Sequence, residues 1–220
     1  MMDPVDRIQA LIKWIRTTAA SARGLLVPVS GGSDSALGFW LCAQAFPQKT
    51  VAMHAQDDDV LRCRNWFDSV GIVVCTETPG RRNQREEMRW AQFLSYSIRR
   101  GQWLVGCRNR TEQELGTYSL ASREMTFAPL IGVWKSHVME MCAAISMPQE
   151  IIDSSARADP DCGRPQEMAE IPFAQLDAYL RHRAGESLEH RMNDAQVRYI
   201  ESVLERNAFK KTLPICGLEI

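Results

Sequence analysis

Val29-Ser30-Gly31-Gly32-Ser33-Asp34-Ser35-Ala36 decides the fold of this 220-residue chain. An apolar run, Leu25-Leu26-Val27-Pro28-Val29, enters the stretch, and a second, Ala36 to Ala43, leaves it. The first has the length of a strand, and the second is long enough for a helix buried nearly all round. A Gly-Gly turn between a strand and a helix N-terminus is where an open α/β sheet binds phosphate. The unpaired N–H groups of the helix start and the positive end of its dipole face the anion. Gly31 and Gly32 let the backbone approach it closely, and Ser30, Ser33 and Ser35 add hydroxyl donors. Asp34 would repel a phosphate unless a divalent cation lay between them. A serine/glycine turn that merely caps a core helix is the plainer alternative.

Outward from this loop, strands alternate with helices. Asp3-Pro4 reads as an N-cap and first turn, with Val5, Ile8, Leu11, Ile12 and Ile15 on one helix face and Gly24 as a stop. Thr50–Ala55, Gly71–Cys75, Trp103–Gly106 and Phe127–Leu130 read as further strands. Helices are expected after Asp57-Asp58-Asp59, over about 84–99, from about Thr111, and over Lys135 to about Ser146. The three aspartates read as a solvated helix start rather than a metal site. A short helix through Ile152 precedes an aperiodic stretch, 154–170, and helices at about 173–183 and 193–206 close the chain. Pro28 conflicts with a central strand, because proline removes a ladder donor; a bulge or a short strand resolves it. The alternation implies one domain with a doubly wound, mainly parallel five-stranded α/β sheet and C-terminal helices.

Composition excludes several classes. A net charge of −1 gives no bulk attraction to nucleic acid or to an anionic membrane. No apolar segment approaches the roughly 20 residues of a membrane span, and Met1-Met2-Asp3-Pro4 carries no signal-peptide pattern. The seven cysteines are scattered with no Cys-x-x-Cys pair, which argues against zinc and for a reducing cytoplasm.

The Gly-x-x-x-x-Gly-Lys-Ser/Thr string is absent from the chain. Ser30 to Ser35 resembles instead the SGGxDS loop of the N-type ATP pyrophosphatases, which cleave ATP between its α and β phosphates. Other strings extend the likeness: Gln84-Arg85-Glu86-Glu87-Met88, Gly106-Cys107-Arg108-Asn109-Arg110-Thr111-Glu112, Pro129-Leu130 with Lys135, Ser155-Ala156, Ile171 to Asp177, and Phe209 to Pro214. With these, the chain resembles the synthetase domain of the NAD synthetase family nearly end to end.

That resemblance implies an adenine nucleotide alpha-hydrolase-like fold, a homodimer, and an amide-forming ligase that uses ATP, Mg2+ and ammonia on nicotinic acid adenine dinucleotide. No glutaminase domain is read in the sequence, so ammonia would arrive free or from a separate glutaminase. Ser30, Gly31, Gly32, Ser33, Asp34, Ser35, Cys107, Lys135 and Ser155 would bind ATP. Asp34 and Glu112 would hold Mg2+, and Asp34, Lys135 and Glu112 would be the catalytic groups. Arg85 and Lys210 would touch the acyl substrate. Cys107 stands where the family usually carries threonine, so a thiol replaces a hydroxyl. Ser119 to Thr126 replaces a family stretch whose lysine and second aspartate contact the dinucleotide.

Each role has a plainer counterpart. Glu112 could be an N-terminal charge on its helix, Lys135 a solvated helix residue, and Arg85 and Lys210 exposed basic residues. The altered stretch keeps two other functions open: an amide ligase for a different small carboxylate, and a non-catalytic nucleotide binder. A tRNA-modifying enzyme fits less well, since no basic stripe is present.

Overall fold

The structure is a computed structural model and describes residues 2–53, 58–70, 86–157 and 165–212. Among the described residues the strands are β1 (Leu25–Pro28), β2 (Thr50–Met53) and β3 (Trp103–Leu104). The helices are α1 (Pro4–Thr18), α2 (Ser33–Ala45), α3 (Asp58–Ser69), α4 (Glu86–Arg100), α5 (Arg110–Leu115), α6 (Lys135–Ala144), α7 (Gln149–Ser154), α8 (Gln166–Ala169), α9 (Phe173–Arg183) and α10 (Asp194–Asn207). Short 3-10 turns occupy Leu120–Glu124 and Ala208–Thr212.

β1 is central. β2 and β3 pair with it on either side, both parallel, with Leu25 opposite Thr50 and Trp103. Chain order therefore reverses beside β1, and the crevice beyond its carboxyl end is a switch point of the kind where open α/β sheets bind ligands. The apolar run alternates strictly. Leu25, Val27 and Val29 pack in one core with Ile8, Ile12 and Ile15 of α1, Leu37 and Phe39 of α2, and Val138 and Met141 of α6. Leu26 turns to the other face, against Met53, Leu104 and Phe93 and Tyr96 of α4. Helices thus cover both faces, as expected for strands apolar on both sides. A separate apolar cluster, built on Leu115, Trp134, Ile171, Leu176, Leu180, Ile200 and Val203, joins α5, α9 and α10.

Pro28 is accommodated by where β3 ends. The Leu25 and Val29 N–H groups donate toward β2, while Trp103 and Val105 donate to carbonyls on the other side of β1. The missing donor of Pro28 falls on that β3 side, past the last paired residue, Leu104. The register with β2 runs one-to-one through Pro28 and Met53. A four-residue strand results, with no inserted residue.

Other boundaries differ as well. α1 stops at Thr18 rather than near Gly24, and its Val5 is exposed instead of packed. α6 ends at Ala144, because Ser146 takes a positive φ of 54°. Within 154–170, expected to lack structure, Gln166–Ala169 is helical. The expected strand at Phe127–Leu130 is a single parallel bridge from Phe127 to Val105, after which the chain turns. The expected strand at Gly71–Cys75 lies outside the described residues.

Candidate active site

The β1–α2 loop closes on itself around a concavity lined by hydroxyls. Gly31 has φ 92°, a conformation that L side chains rarely adopt. Gly32 is the N-cap of α2 and brings no side-chain cap, so the first-turn donors are left to other groups. A Cβ on Gly32 would sit 3.7 Å from both the Ser30 and Ser155 hydroxyls, within the concavity those hydroxyls line. Ser35 Oγ donates to the Gly32 carbonyl at 3.0 Å and takes the Ser30 N–H at 3.1 Å, which holds the loop closed on itself. Ser155, at the end of α7, reaches in from a distant part of the chain. Its Oγ accepts the Ser33 N–H at 3.2 Å and lies 2.6 Å from Ser33 Oγ.

Lys135 opposes this loop. It is only 4% exposed, and a buried ammonium needs compensation. Its Nζ donates to Ser33 Oγ at 2.9 Å and forms an ion pair with Asp34 Oδ2. Asp34 Oδ1 accepts from Asn109 Nδ2 at 2.9 Å. Asn109 also caps α5: its side chain takes the Glu112 N–H at 2.9 Å, and Glu112 Oε2 takes the Asn109 N–H at 3.1 Å. This is a capping box, so Glu112 fills the helix-terminal role and still lies close enough for Asp34 to act on it. Burial, and then the charge of Asp34, push the Glu112 carboxyl above its ordinary range; Lys135 opposes the shift. Two neighbouring carboxylates with hard oxygens fit Mg2+, which binds through one or two carboxylates plus substrate phosphates.

A second layer fixes Lys135. It is the first residue of α6, and Trp134 supplies no side-chain cap. Thr111 Oγ1 accepts the Lys135 N–H at 2.9 Å, and Asp177 Oδ2, from α9, accepts the Ser136 N–H at 2.7 Å. Thr111 donates in turn to Asp177 Oδ1 at 2.5 Å. Asp177 is buried, and desolvation raises its carboxyl above the ordinary value despite these hydrogen bonds. Two helix N-termini and an ammonium therefore lie beside Ser33 and Asp34, and with Asp34 and Glu112 at the same place a polyphosphate needs a divalent cation between it and the carboxylates.

The structure gathers Ser30 to Ser35, Glu112, Lys135 and Ser155 at this crevice. Cys107 sits on the adjoining turn, packed on α2: a Cβ on Gly38 would lie 2.5 Å from its Sγ. Burial, then the negative surroundings, hold its thiol well above the ordinary range, which disfavours a nucleophilic thiolate. Lys210 lies apart from the loop, donating to the carbonyls of Gly116 and Tyr118 at 2.8 Å each. Arg85 lies outside the described residues. Sequence reasoning missed Asn109, Thr111 and Asp177 as site residues. Asn109-x-x-Glu112 was readable as a capping box, but nothing local signals that α9 caps α6.

A parallel sheet that opens at its switch point onto this loop, with a buried lysine opposite, defines a phosphate-binding α/β protein. Residues 75–214 match the NAD synthase family, and the chain belongs to that family. It is 24% identical over 246 residues to the NH3-dependent NAD+ synthetase of Carboxydothermus hydrogenoformans, covering 95% of this chain and 96% of that protein. Its fold matches a structure described as NMN synthetase from Francisella tularensis (TM-score 0.81, 18% identity, full coverage of both chains). It also matches the NH3-dependent NAD synthetase of Campylobacter jejuni (TM-score 0.76, 17% identity, full coverage of both).

Proposed function

We propose that this protein is an ATP-dependent, ammonia-using amide synthetase that converts nicotinic acid adenine dinucleotide to NAD. The observation that carries the reading is the buried Lys135, which spans Ser33 and Asp34 at the N-terminus of α2. The substrate carboxylate attacks the α-phosphorus of ATP, and pyrophosphate leaves. Ammonia then attacks the acyl-adenylate carbonyl, and AMP departs as the amide forms.

The chain's own groups act chiefly by charge and position. The Ser30–Ser35 loop and the start of α2 receive the leaving pyrophosphate, and Lys135 offsets the charge that develops on it. Asp177 and Thr111 hold the first turn of α6, and with it Lys135, in place. Asp34 and Glu112 would hold Mg2+, which when bound neutralises polyphosphate charge. No step calls for a nucleophilic side chain, consistent with the raised Cys107 thiol. We further propose a cytoplasmic homodimer supplied with free ammonia or ammonia from a separate glutaminase.

One observation favours a second reading, amidation of a different carboxylate. Ser119 to Thr126 lacks the lysine and aspartate of the family pattern and forms a 3-10 turn at Leu120–Glu124. The product named for the Francisella protein suggests one such acid, nicotinic acid mononucleotide. Pyrophosphate release from Mg·ATP with ammonia, with and without each acid, tests both readings. Release that depends on the dinucleotide, with NAD as product, supports the first. Release only with the mononucleotide supports the second. Bound ATP with no release under either acid rejects both of these substrates, and a nucleotide sensor is left only when no other carboxylate triggers turnover.

A further inference from the structure

Arg108 follows Cys107 and precedes Asn109, so it lies directly beside the ATP half of the site. It is 9% exposed. An arginine keeps its proton in a protein, so a full charge is buried here. Its partners are neutral: Nη1 donates to Gln113 Oε1 and Nη2 to Ser122 Oγ, both at 2.8 Å, and the guanidinium carbon sits 3.4 Å from the centre of the Tyr118 ring. No carboxylate forms an ion pair with it among the described residues. Its Nε is buried with no hydrogen-bond acceptor among them. On the same phenol ring, Lys210 Nζ approaches to 5.4 Å, which places a second cation in the cluster. Glu112 is the carboxylate whose charge favours the Arg108 cation, and Mg2+ bound at Glu112 would withdraw that support.

We propose that Arg108 is the anion receptor of the acyl half of the site, taking a phosphate of the carboxylate-bearing nucleotide in its guanidinium fork. This rests on the amide-synthetase reading above. The planar fork matches phosphate oxygens two at a time, and the bound anion supplies the directly paired counter-charge that Arg108 lacks among the described residues. Ser122, which Arg108 now holds, belongs to the stretch that departs from the family pattern, so a new phosphate contact stands beside the lost lysine and aspartate. The phosphate is either the internal pyrophosphate of a dinucleotide or the terminal monoester of a mononucleotide.

The test is calorimetric titration of both acids onto wild type, Arg108→Gln and Arg108→Lys, each saturated with Mg2+ and a non-cleavable α,β-methylene analogue of ATP. Arg108→Gln is expected to weaken acid binding at least tenfold with the ATP analogue bound within twofold of wild type, and Arg108→Lys to recover part of the loss. A tenfold loss confined to the mononucleotide assigns the terminal monoester, and one confined to the dinucleotide assigns the internal pyrophosphate. Unchanged acid affinity, or equal losses for acid and ATP analogue, overturns the proposal, as does a wild type that binds neither acid. If Arg108→Gln fails to fold by circular dichroism, Arg108→Lys carries the comparison, since it keeps the charge and removes the fork. Arg108-dependent binding of an acid that is never amidated would instead reject the synthetase reading and leave the receptor standing.

Discussion

Lys135 ties the stability of the loop to the proposed chemistry. A lysine in the first turn of a helix opposes the helix dipole, and burial adds a desolvation cost. Asp34 and Ser33 offset both. Lys135→Met leaves Asp34 without its ammonium, and breaking a buried pair from one side costs about 3–5 kcal/mol. The Asp34 side chain retains 19% exposure, so the lower end is expected in urea unfolding. Adding Asp34→Asn to Lys135→Met should restore part of the stability. Pyrophosphate release should stay depressed in both variants, by the roughly 10²–10³-fold seen when one charge-stabilising donor is removed. A double variant that regains activity with its stability would show that Lys135 only balances Asp34. Asn109 separates two roles in the same way. Asn109→Ser keeps a capping oxygen but not the reach to Asp34, whereas Asn109→Ala loses both. The alanine variant should be less stable than the serine variant by about 1 kcal/mol, with turnover reduced in both.

At the level of elements, the start of α6 is capped by α5 and α9 instead of by its own neighbour. Asp177 is the hinge of that arrangement. Its folded-state carboxyl sits above the ordinary 3.8 because burial disfavours the charge. A raised carboxyl pKa contributes stability that is fully present below the unfolded value and is lost as pH rises through the folded one. Asp177→Asn does not titrate. The melting-temperature gap between wild type and this variant should therefore be widest near pH 4 and shrink as pH rises toward neutrality. A gap that widens with pH would mean that hydrogen bonds to the carboxylate outweigh its desolvation. Thermal melts of both proteins from pH 4 to 7.5 decide it.

For the whole molecule, the main core carries the sheet and the phosphate loop, and the smaller core of α5, α9 and α10 carries the cap on Lys135. The site spans the two, with Asp34 and Ser155 on one side and Thr111 and Asp177 on the other. A ligand that binds only the folded chain stabilises it by mass action, about 2.7 kcal/mol at a hundred times its Kd. Saturating Mg·ATP should therefore raise the melting temperature of wild type and have much less effect on Lys135→Met. Leu176 is fully buried in the smaller core, one residue from Asp177. Leu176→Ala should cost about 2–5 kcal/mol and, by loosening the cap, lower turnover more than it weakens ATP binding; steady-state kinetics beside ATP titration measures the difference.

The sequence by itself determined the local elements: the apolar run of β1, the Gly-Gly turn, the buried helix α2, and the capping signal at Asp3. These depend on periodicity, backbone freedom and side chains within four residues of one another, all of which are local properties. The Ser30–Ser35 loop, Glu112, Lys135 and Ser155 were singled out too, but as separate strings on one chain. Only the tertiary structure decided that Lys135 reaches Asp34, that Asn109 bridges Asp34 to Glu112, and that α9 caps α6 through Asp177. It also decided that Phe127 makes one bridge where a strand was expected, and that Pro28 falls where β3 has already ended. Such contacts join residues tens of positions apart. They form because burying charges and helix ends without partners is costly, and the partners are chosen by how the packed elements meet.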